Sequence, residues 1–176
     1  MKKATLVYPL RINNGLQEVM LAEKMKKIGI GYLFGFGGKI KGDESALACA
    51  VRETKEETGG KNDPSKGLVI AEEDLEVVGL MDFYNGGKHE GDPRFRVIIY
   101  TVRTFSGEFE STDEMKNPAW FNCYDLPDGK IKPGDELFLP YVFKGEYFKG
   151  FVHFSEDEKC VHDYLITPCS KDELVI

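Results

Sequence analysis

Apolar and polar residues alternate near the start of the chain in a pattern that predicts a β-hairpin. Residues 4–10 form the first predicted strand, residues 13–15 (Asn-Asn-Gly) form a turn, and residues 17–21 form the partner strand. An Asn-Gly pair suits the positive φ angles of a tight hairpin turn. We therefore expect a hairpin to open the fold.

Further along, predicted strands surround two predicted helices. Strands are expected at residues 75–84, 95–105, 119–123, 147–154 and 160–166. A turn at residues 132–135 precedes the later helix, and places Asp135 near its N-terminal end, where an acidic side chain is stabilising. Strands on both sides of one helix, followed by more strands and a late helix, predict a mixed α/β layered domain.

The earlier helix is predicted at residues 45–58, with Asp43 or Ser45 as its N-cap. The side chains expected to face the core recur at three- and four-residue spacing, and they are Leu47, Ala50, Val51 and Thr54.

Three glutamates of this helix are the first candidate for chemistry. Glu53, Glu56 and Glu57 fall at positions i, i+3 and i+4, so their carboxylates gather on one side of the helix. Like charges at that spacing oppose each other, and a divalent cation would remove the conflict. Hard oxygen ligands suit Mg²⁺, with Mn²⁺ as the alternative ion. The competing interpretation is a solvated acidic face.

Length, charge and cysteine content limit the classes of protein that the chain can represent. Its 176 residues are most simply one domain, residues 1–176. A net charge of −7 argues against a stable nucleic acid partner, but a bound metal would still let a small phosphorylated ligand approach. The four cysteines form no C-x-x-C pair, so we expect reduced and mostly buried thiols.

The ends of the sequence predict a cytoplasmic protein with no membrane association. The apolar run near the start is too short for a signal peptide or a membrane span. The letters KDEL are followed by Val175 and Ile176 and are therefore not a terminal retention signal.

Basic, glycine and histidine residues add weaker signals. Lys24, Lys26 and Lys27 precede a glycine-rich loop, and one of them would meet a phosphate if the glutamates bind a metal. The glycine spacing fits neither a P-loop nor a dinucleotide-binding motif. The histidines are expected to be solvated or structural rather than catalytic, and they are His89, His153 and His162.

The full spacing around the glutamates resembles the signature of the Nudix hydrolases over residues 38–60. Gly38 is followed by Glu44, by Arg52-Glu53, by Glu56-Glu57 and by Gly59, all at the family's spacing. Thr54 and Gly60 depart from it, since the family usually has bulky aliphatic residues there. The resemblance implies the Nudix fold, an α/β/α sandwich around a mixed sheet.

The similarity extends along nearly the whole chain to the MutT-like, oxidised-purine nucleoside triphosphatase branch of the family. It is carried in order by LFGFGGKIKGDE, STDEMKNPAWF, PGDELFLP, FKGFVHF and VHDYLI. This resemblance implies a magnesium-dependent enzyme that cuts a nucleoside triphosphate, such as 8-oxo-dGTP, into the monophosphate and pyrophosphate.

The resemblance also implies roles for single residues. The metal ligands would be Glu53, Glu56, Glu57, Glu114 and a backbone carbonyl of Gly38 or Gly37. Arg52 would orient a glutamate, Glu44 would tie the loop to the helix, and Lys24 would lie near the phosphates. Either Glu56 or Glu114 would take the proton from the attacking water.

The predicted base-binding residues depart from the family. Phe34 replaces an asparagine that reads the purine, and Lys132 replaces a tryptophan. Gly134 replaces the first of two aspartates, whereas Asp135 keeps the second. Other substrates therefore stay open: a dinucleotide, a nucleotide sugar or an RNA 5′ end. A Nudix-fold binding module without catalysis is the third alternative, and the sequence leaves the oligomeric state undetermined.

Overall fold

The computed structural model describes residues 1–86 and 91–174, and His89 lies outside these ranges. The strands are β1 Lys2–Asn13, β2 Leu16–Lys24, β3 Leu33–Phe34, β4 Leu75–Asn85, β5 Phe95–Val102, β6 Met115–Asn122, β7 Phe148–Phe154 and β8 Val161–Pro168. The α-helices are α1 Ala46–Lys55 and α2 Asp135–Lys144. A π-helical turn spans Glu56–Gly60, and short 3-10 turns span Glu72–Asp74 and Lys171–Glu173.

The strands form one mixed sheet in the order β3-β2-β1-β5-β4-β7-β8. Strand β6 also pairs with β2 but lies outside this order. The β1/β5 and β4/β7 pairs are parallel, and the remaining pairs are antiparallel. The long strand β1 joins the two halves of the sheet, because its first eight paired residues contact β5 and residues from Leu10 onward contact β2. The predicted opening hairpin is present as β1 and β2.

One helix covers each face of the sheet, as an α/β/α sandwich requires. Phe138 and Val142 of α2 pack in a core with Tyr8, Met81 and Phe148. On the opposite face, a second core contains Ala50 of α1, together with Val7, Leu68, Ile98 and Tyr100. Burial of apolar side chains on both faces explains why the central strands are apolar on both sides.

Several predicted boundaries shift in the structure. The helix expected to reach residue 58 ends at Lys55, and the chain continues as the π-helical turn in which Gly59 has φ 132°. The N-cap is Ser45, whose Oγ accepts a hydrogen bond from the Ala48 N–H at 3.0 Å. Strand β5 stops at Val102, before Phe105, and β6 starts at Met115, four residues before the predicted position.

Two expectations about exposure and membranes can be compared with the structure. All four cysteines are free thiols, but only Cys49 and Cys123 are buried, while Cys160 is exposed. Within residues 1–86 and 91–174, no helix has the length and apolarity needed to cross a membrane.

Candidate active site

The loop before α1 lies directly against β1, and its glycines make that contact sterically feasible. The Val7 N–H donates to the Phe36 carbonyl at 2.7 Å, and the Thr5 N–H donates to the Gly38 carbonyl at 2.9 Å. A Cβ atom on Gly37 would lie 2.1 Å from the Thr5 carbonyl oxygen. The loop therefore requires glycine at position 37 to approach the strand so closely.

Glu57 is the most buried of the signature glutamates, with 5% exposure. Its Oε2 accepts from the Gly37 N–H at 2.9 Å, and its Oε1 accepts from Lys24 Nζ at 2.5 Å. Burial raises the pKa of Glu57, whereas Lys24 and the Gly37 N–H oppose the shift. We expect the ionised form, because it is paired with an ammonium group only 13% exposed and accepts a backbone hydrogen bond.

Arg52 joins two other signature glutamates. Its Nε and Nη2 donate to the two carboxylate oxygens of Glu44 at 2.9 and 2.6 Å, and its Nη1 donates to Glu53 Oε1 at 2.6 Å. The Arg52 hydrogen bonds are the main reason that the pKa of Glu44 is lowered to about 2. Glu44 Oε1 also accepts from the Lys41 N–H at 2.7 Å, which connects the loop to the helix.

Gly38 leaves the space in which the Glu53 carboxylate lies. A Cβ on Gly38 would be 2.4 Å from Glu53 Cδ and 2.5 Å from its Oε2. The carboxylate is also held by Lys41 Nζ at 3.3 Å from Oε1. Glu56 is more open, since its side chain is 34% exposed and Arg52 Nη1 lies 3.5 Å from its Oε2.

Glu114 reaches this region from the residues just before β6. Its two oxygens accept hydrogen bonds from Lys27 Nζ at 2.7 Å and Lys61 Nζ at 2.8 Å. These bonds lower the pKa of Glu114 to about 2. The Met25 N–H donates to the Glu114 carbonyl at 2.8 Å, so the loop after β2 is fixed to the same segment.

The donor set fits a divalent cation, although its carboxylates face ammonium and guanidinium groups. Among residues 1–86 and 91–174, no group of three His, Cys, Asp or Glu side chains is arranged as a metal site. Lys24 on Glu57 and the two lysines on Glu114 are, however, cations at 2.5–2.8 Å from hard oxygen ligands. A metal would take the place of such a stand-in cation, and the oxygen donors are those that Mg²⁺ prefers.

The residues predicted to bind the base are closely packed. The Phe34 ring lies over Gly29, where an added Cβ would be 2.4 Å from the ring. Lys132 is 7% exposed, and its Nζ lies 4.1 Å from the centre of the Phe154 ring. Gly134 has φ 95°, and a Cβ there would be 2.6 Å from Phe154 Cζ, so Phe154 fills the space of the missing side chain.

Asp135 is the one carboxylate that the chain keeps among the predicted base-binding residues, and it is 6% exposed. Burial raises its pKa to about 7, an effect that the positive charge of Lys132 partly offsets. Two clefts of about 370 and 330 Å³ flank α2, and neither is lined by a signature glutamate. The second cleft includes Gly134 and His162 in its lining.

Sequence reasoning did not assign Lys27, Lys41 or Lys61 to the site. Lys27 was visible only as one of three lysines before the glycine loop, and Lys61 follows the signature directly. Their partners in the chain are up to 87 residues away, so only the folded arrangement shows the contacts. His153 is buried, and its Nε2 lies 3.1 Å from the Gly86 carbonyl oxygen, in agreement with a structural role.

The fold is an α/β/α sandwich in which the signature glutamates lie between the C-terminal part of α1 and the glycine loop. The family model described as the NUDIX domain matches residues 3–142, and the chain therefore belongs to the Nudix family. Nudix hydrolases act on pyrophosphate bonds of small-molecule nucleotides and generally use a divalent metal.

Named relatives and a solved structure agree with this assignment. The chain is 28% identical over 147 residues to the oxidized purine nucleoside triphosphate hydrolase of Danio rerio, covering 84% of this chain and 85% of that protein. It is 27% identical over 143 residues to the Mus musculus protein of the same name, covering 81% and 82%. A crystal structure of a MutT protein from Bacillus halodurans superposes with a TM-score of 0.72 at 19% identity, covering 94% of this chain and 97% of that one.

Proposed function

We propose that this protein is a magnesium-dependent pyrophosphohydrolase that converts nucleoside triphosphates into monophosphates and pyrophosphate. The observation that carries the proposal is the position of Glu57, buried at the end of the signature helix and hydrogen-bonded to the Gly37 N–H. That contact holds the helix carboxylates against the glycine loop, which is the arrangement needed to bring a metal and a phosphate together.

The proposed metal ligands are Glu53, Glu56, Glu57 and a loop carbonyl. Since the Gly38 carbonyl already accepts from the Thr5 N–H, Gly37 is the better candidate of the two. When bound, the metal lowers the pKa of water and screens phosphate charge. Arg52 would position Glu44 and Glu53 rather than contact the substrate, because its short hydrogen bonds go to those two carboxylates.

Glu56 is the proposed general base. Its carboxylate is partly exposed and has only a 3.5 Å contact with Arg52, so one of its oxygens would stay available to accept a proton from an attacking water when the other binds the metal. Both oxygens of Glu114, by contrast, accept hydrogen bonds from lysines. Glu114 is the further ligand that becomes available when those lysines move away.

Nucleoside triphosphates are the proposed substrate class because both named vertebrate relatives are nucleoside triphosphate hydrolases. Oxidised purine nucleotides such as 8-oxo-dGTP are the first candidates for the same reason. The packing around Phe34, Lys132 and Gly134 supports a looser selection of the base than a pocket of hydrogen-bonding groups would give.

The test is pyrophosphate release from a panel of nucleotides with Mg²⁺, comparing the parent with Glu57→Gln. Loss of a metal ligand should lower kcat/KM by more than about a hundredfold, which corresponds to about 2.7 kcal/mol of transition-state stabilisation. Glu110→Gln is the matched control, since Glu110 forms an exposed pair with Lys66. Activity of Glu57→Gln within about tenfold of the parent would remove the role assigned to Glu57. Product analysis also identifies the bond that is cut.

A further inference from the structure

Two lysines from separate parts of the chain converge on one carboxylate at the rim of the candidate site. Lys27 Nζ lies 2.7 Å from Glu114 Oε2, and Lys61 Nζ lies 2.8 Å from Glu114 Oε1. Lys27 belongs to the loop between β2 and β3, and Lys61 follows the π-helical turn. These two residues are called the rim lysines below.

The backbone at Lys27 is fixed in an unfavourable conformation. Its φ of 67° is left-handed, which costs a residue with a side chain about 1–2 kcal/mol relative to the right-handed region. The loop is nevertheless held there, because the Gly31 N–H donates to the Lys24 carbonyl at 2.8 Å and the Met25 N–H donates to the Glu114 carbonyl. A strained residue that the surrounding structure holds in place is typical of functional loops.

The backbone near Lys61 is held by contacts of Thr58, just after the C-terminal end of α1. Thr58 Oγ1 donates to the Thr54 carbonyl at 2.7 Å and accepts from the Leu68 N–H at 2.8 Å. This side chain ties the segment after Lys61 back to the helix. The two rim lysines therefore extend from two anchored backbones toward the same point.

Charge and exposure make the rim lysines suited to an incoming anion. Their side chains are 70% and 46% exposed, while that of Glu114 is 13% exposed. Each ammonium group gives one hydrogen bond to Glu114 and has two further N–H donors for an incoming acceptor. Because the lysine side chains are exposed, a polyphosphate with several negative charges can reach them and compete with Glu114 for their ammonium groups.

We propose that the rim lysines Lys27 and Lys61, which converge on Glu114, bind the free terminal phosphates of the substrate. They would select nucleotides whose polyphosphate chain ends free over diphosphates that carry an organic group at both ends. As the ammonium groups move to phosphate, Glu114 is released toward the metal site. This inference rests on the proposed function, whose substrate class it narrows.

Calorimetric binding of inorganic triphosphate, with Mg²⁺ present, tests the proposal without turnover of a nucleotide. The double variant Lys27→Ala/Lys61→Ala should bind triphosphate at least about tenfold more weakly than the parent, because two charge-assisted contacts are lost. The control Lys66→Ala/Lys149→Ala removes the same charge from two exposed pairs, with Glu110 and Glu173. The triphosphate affinity of this control should stay within about twofold of that of the parent, since exposed pairs contribute little.

Equal triphosphate affinity in the double variant and the control overturns the proposal, as does a parent that does not bind triphosphate. A role confined to positioning Glu114 predicts a different result. In that case the effect of the double substitution on triphosphate affinity would disappear in a Glu114→Gln background, whereas direct phosphate binding preserves it.

Steady-state kinetics supply the second measurement. For a nucleoside triphosphate, the double variant should raise KM about tenfold and keep kcat within about threefold, as expected for lost ground-state binding. KM for a nucleotide sugar should not change. If the parent hydrolyses no nucleoside triphosphate, the proposed function fails, whereas the triphosphate binding comparison still decides the role of the rim lysines.

Discussion

Lys24 Nζ lies 2.5 Å from Glu57 Oε1, and both side chains are largely buried, at 13% and 5% exposure. The ammonium group occupies a position where a metal ion would also neutralise Glu57. If Glu57 binds the proposed metal, this pair would connect folding stability to metal binding.

Lys24→Ala should destabilise the metal-free protein by about 3 kcal/mol, because it leaves a buried carboxylate without its cation. Saturating Mg²⁺ should reduce the loss to below about 1 kcal/mol, because metal bound only to the folded state takes over the charge. Urea unfolding in EDTA and in Mg²⁺ measures both values. Lys149→Ala is the control, because its pair with Glu173 is exposed, and the same loss with and without Mg²⁺ would contradict the exchange of cations.

Asp135 should make stability fall as pH rises from about 4 to about 7. Burial raises its pKa to about 7 from the ordinary 3.8, so the folded state binds the proton more tightly than the unfolded state. The stabilisation is complete below the unfolded pKa and is lost as pH rises through the folded pKa. Relative to Asp135→Asn, the unfolding free energy of the parent should fall by up to about 1.4 kcal/mol per pH unit in that window.

Chemical denaturation at a series of pH values checks the Asp135 effect. The same comparison for the exposed Asp128→Asn should show no such trend. A constant difference between the parent and Asp135→Asn across the window would contradict a neutral Asp135.

Gly38→Ala should lower kcat/KM by at least about a hundredfold, because small misplacements of catalytic groups have effects of that size. The added Cβ would lie 2.4 Å from Glu53 Cδ, so the carboxylate must shift out of the contacts made by Arg52 and Lys41. Gly129→Ala is the comparison, since no atom lies within 4 Å of its new Cβ. Its φ of 67° adds backbone strain that Gly38→Ala does not have, so a loss of activity confined to Gly38→Ala would come from the contact with Glu53. A kcat/KM reduced less than about fivefold would show that Glu53 tolerates displacement.

Selection of the base should be weak. The ratio of kcat/KM values for 8-oxo-dGTP and dGTP should stay within about tenfold, because sites without hydrogen bonds to the distinguishing groups discriminate little. Competition between the two nucleotides in one assay measures the ratio directly. A preference above about a thousandfold would mean that other residues read the oxidised base.

Much of the fold could be predicted from local patterns. The hairpin of β1 and β2, the two helices and most strands follow from apolar spacing, turn residues and capping residues. The end of the signature helix could not, because the π-helical turn depends on packing around Gly60. An added Cβ there would lie 2.9 Å from the Lys55 carbonyl oxygen and 3.0 Å from that of Lys66, which explains the absence of a bulky aliphatic residue.

The predicted base-binding residues also show what local sequence patterns can and cannot predict. Phe34, Lys132 and Gly134 were visible as departures from the family pattern, but their consequences depend on neighbours in space. Phe154, 20 residues beyond Gly134, fills the space where an aspartate would otherwise extend. Spacing along the chain carries no information about such filling.

The sequence by itself determined the Nudix signature with its carboxylates and the α/β class, because these depend on residues close together in the chain. Only the tertiary structure decided which cations face those carboxylates. Lys24 pairs with Met115 across β2 and β6, and this register brings the loop after β2 beside Glu114. The Lys27–Glu114 and Lys61–Glu114 contacts span 87 and 53 residues, so they exist only when the sheet is assembled.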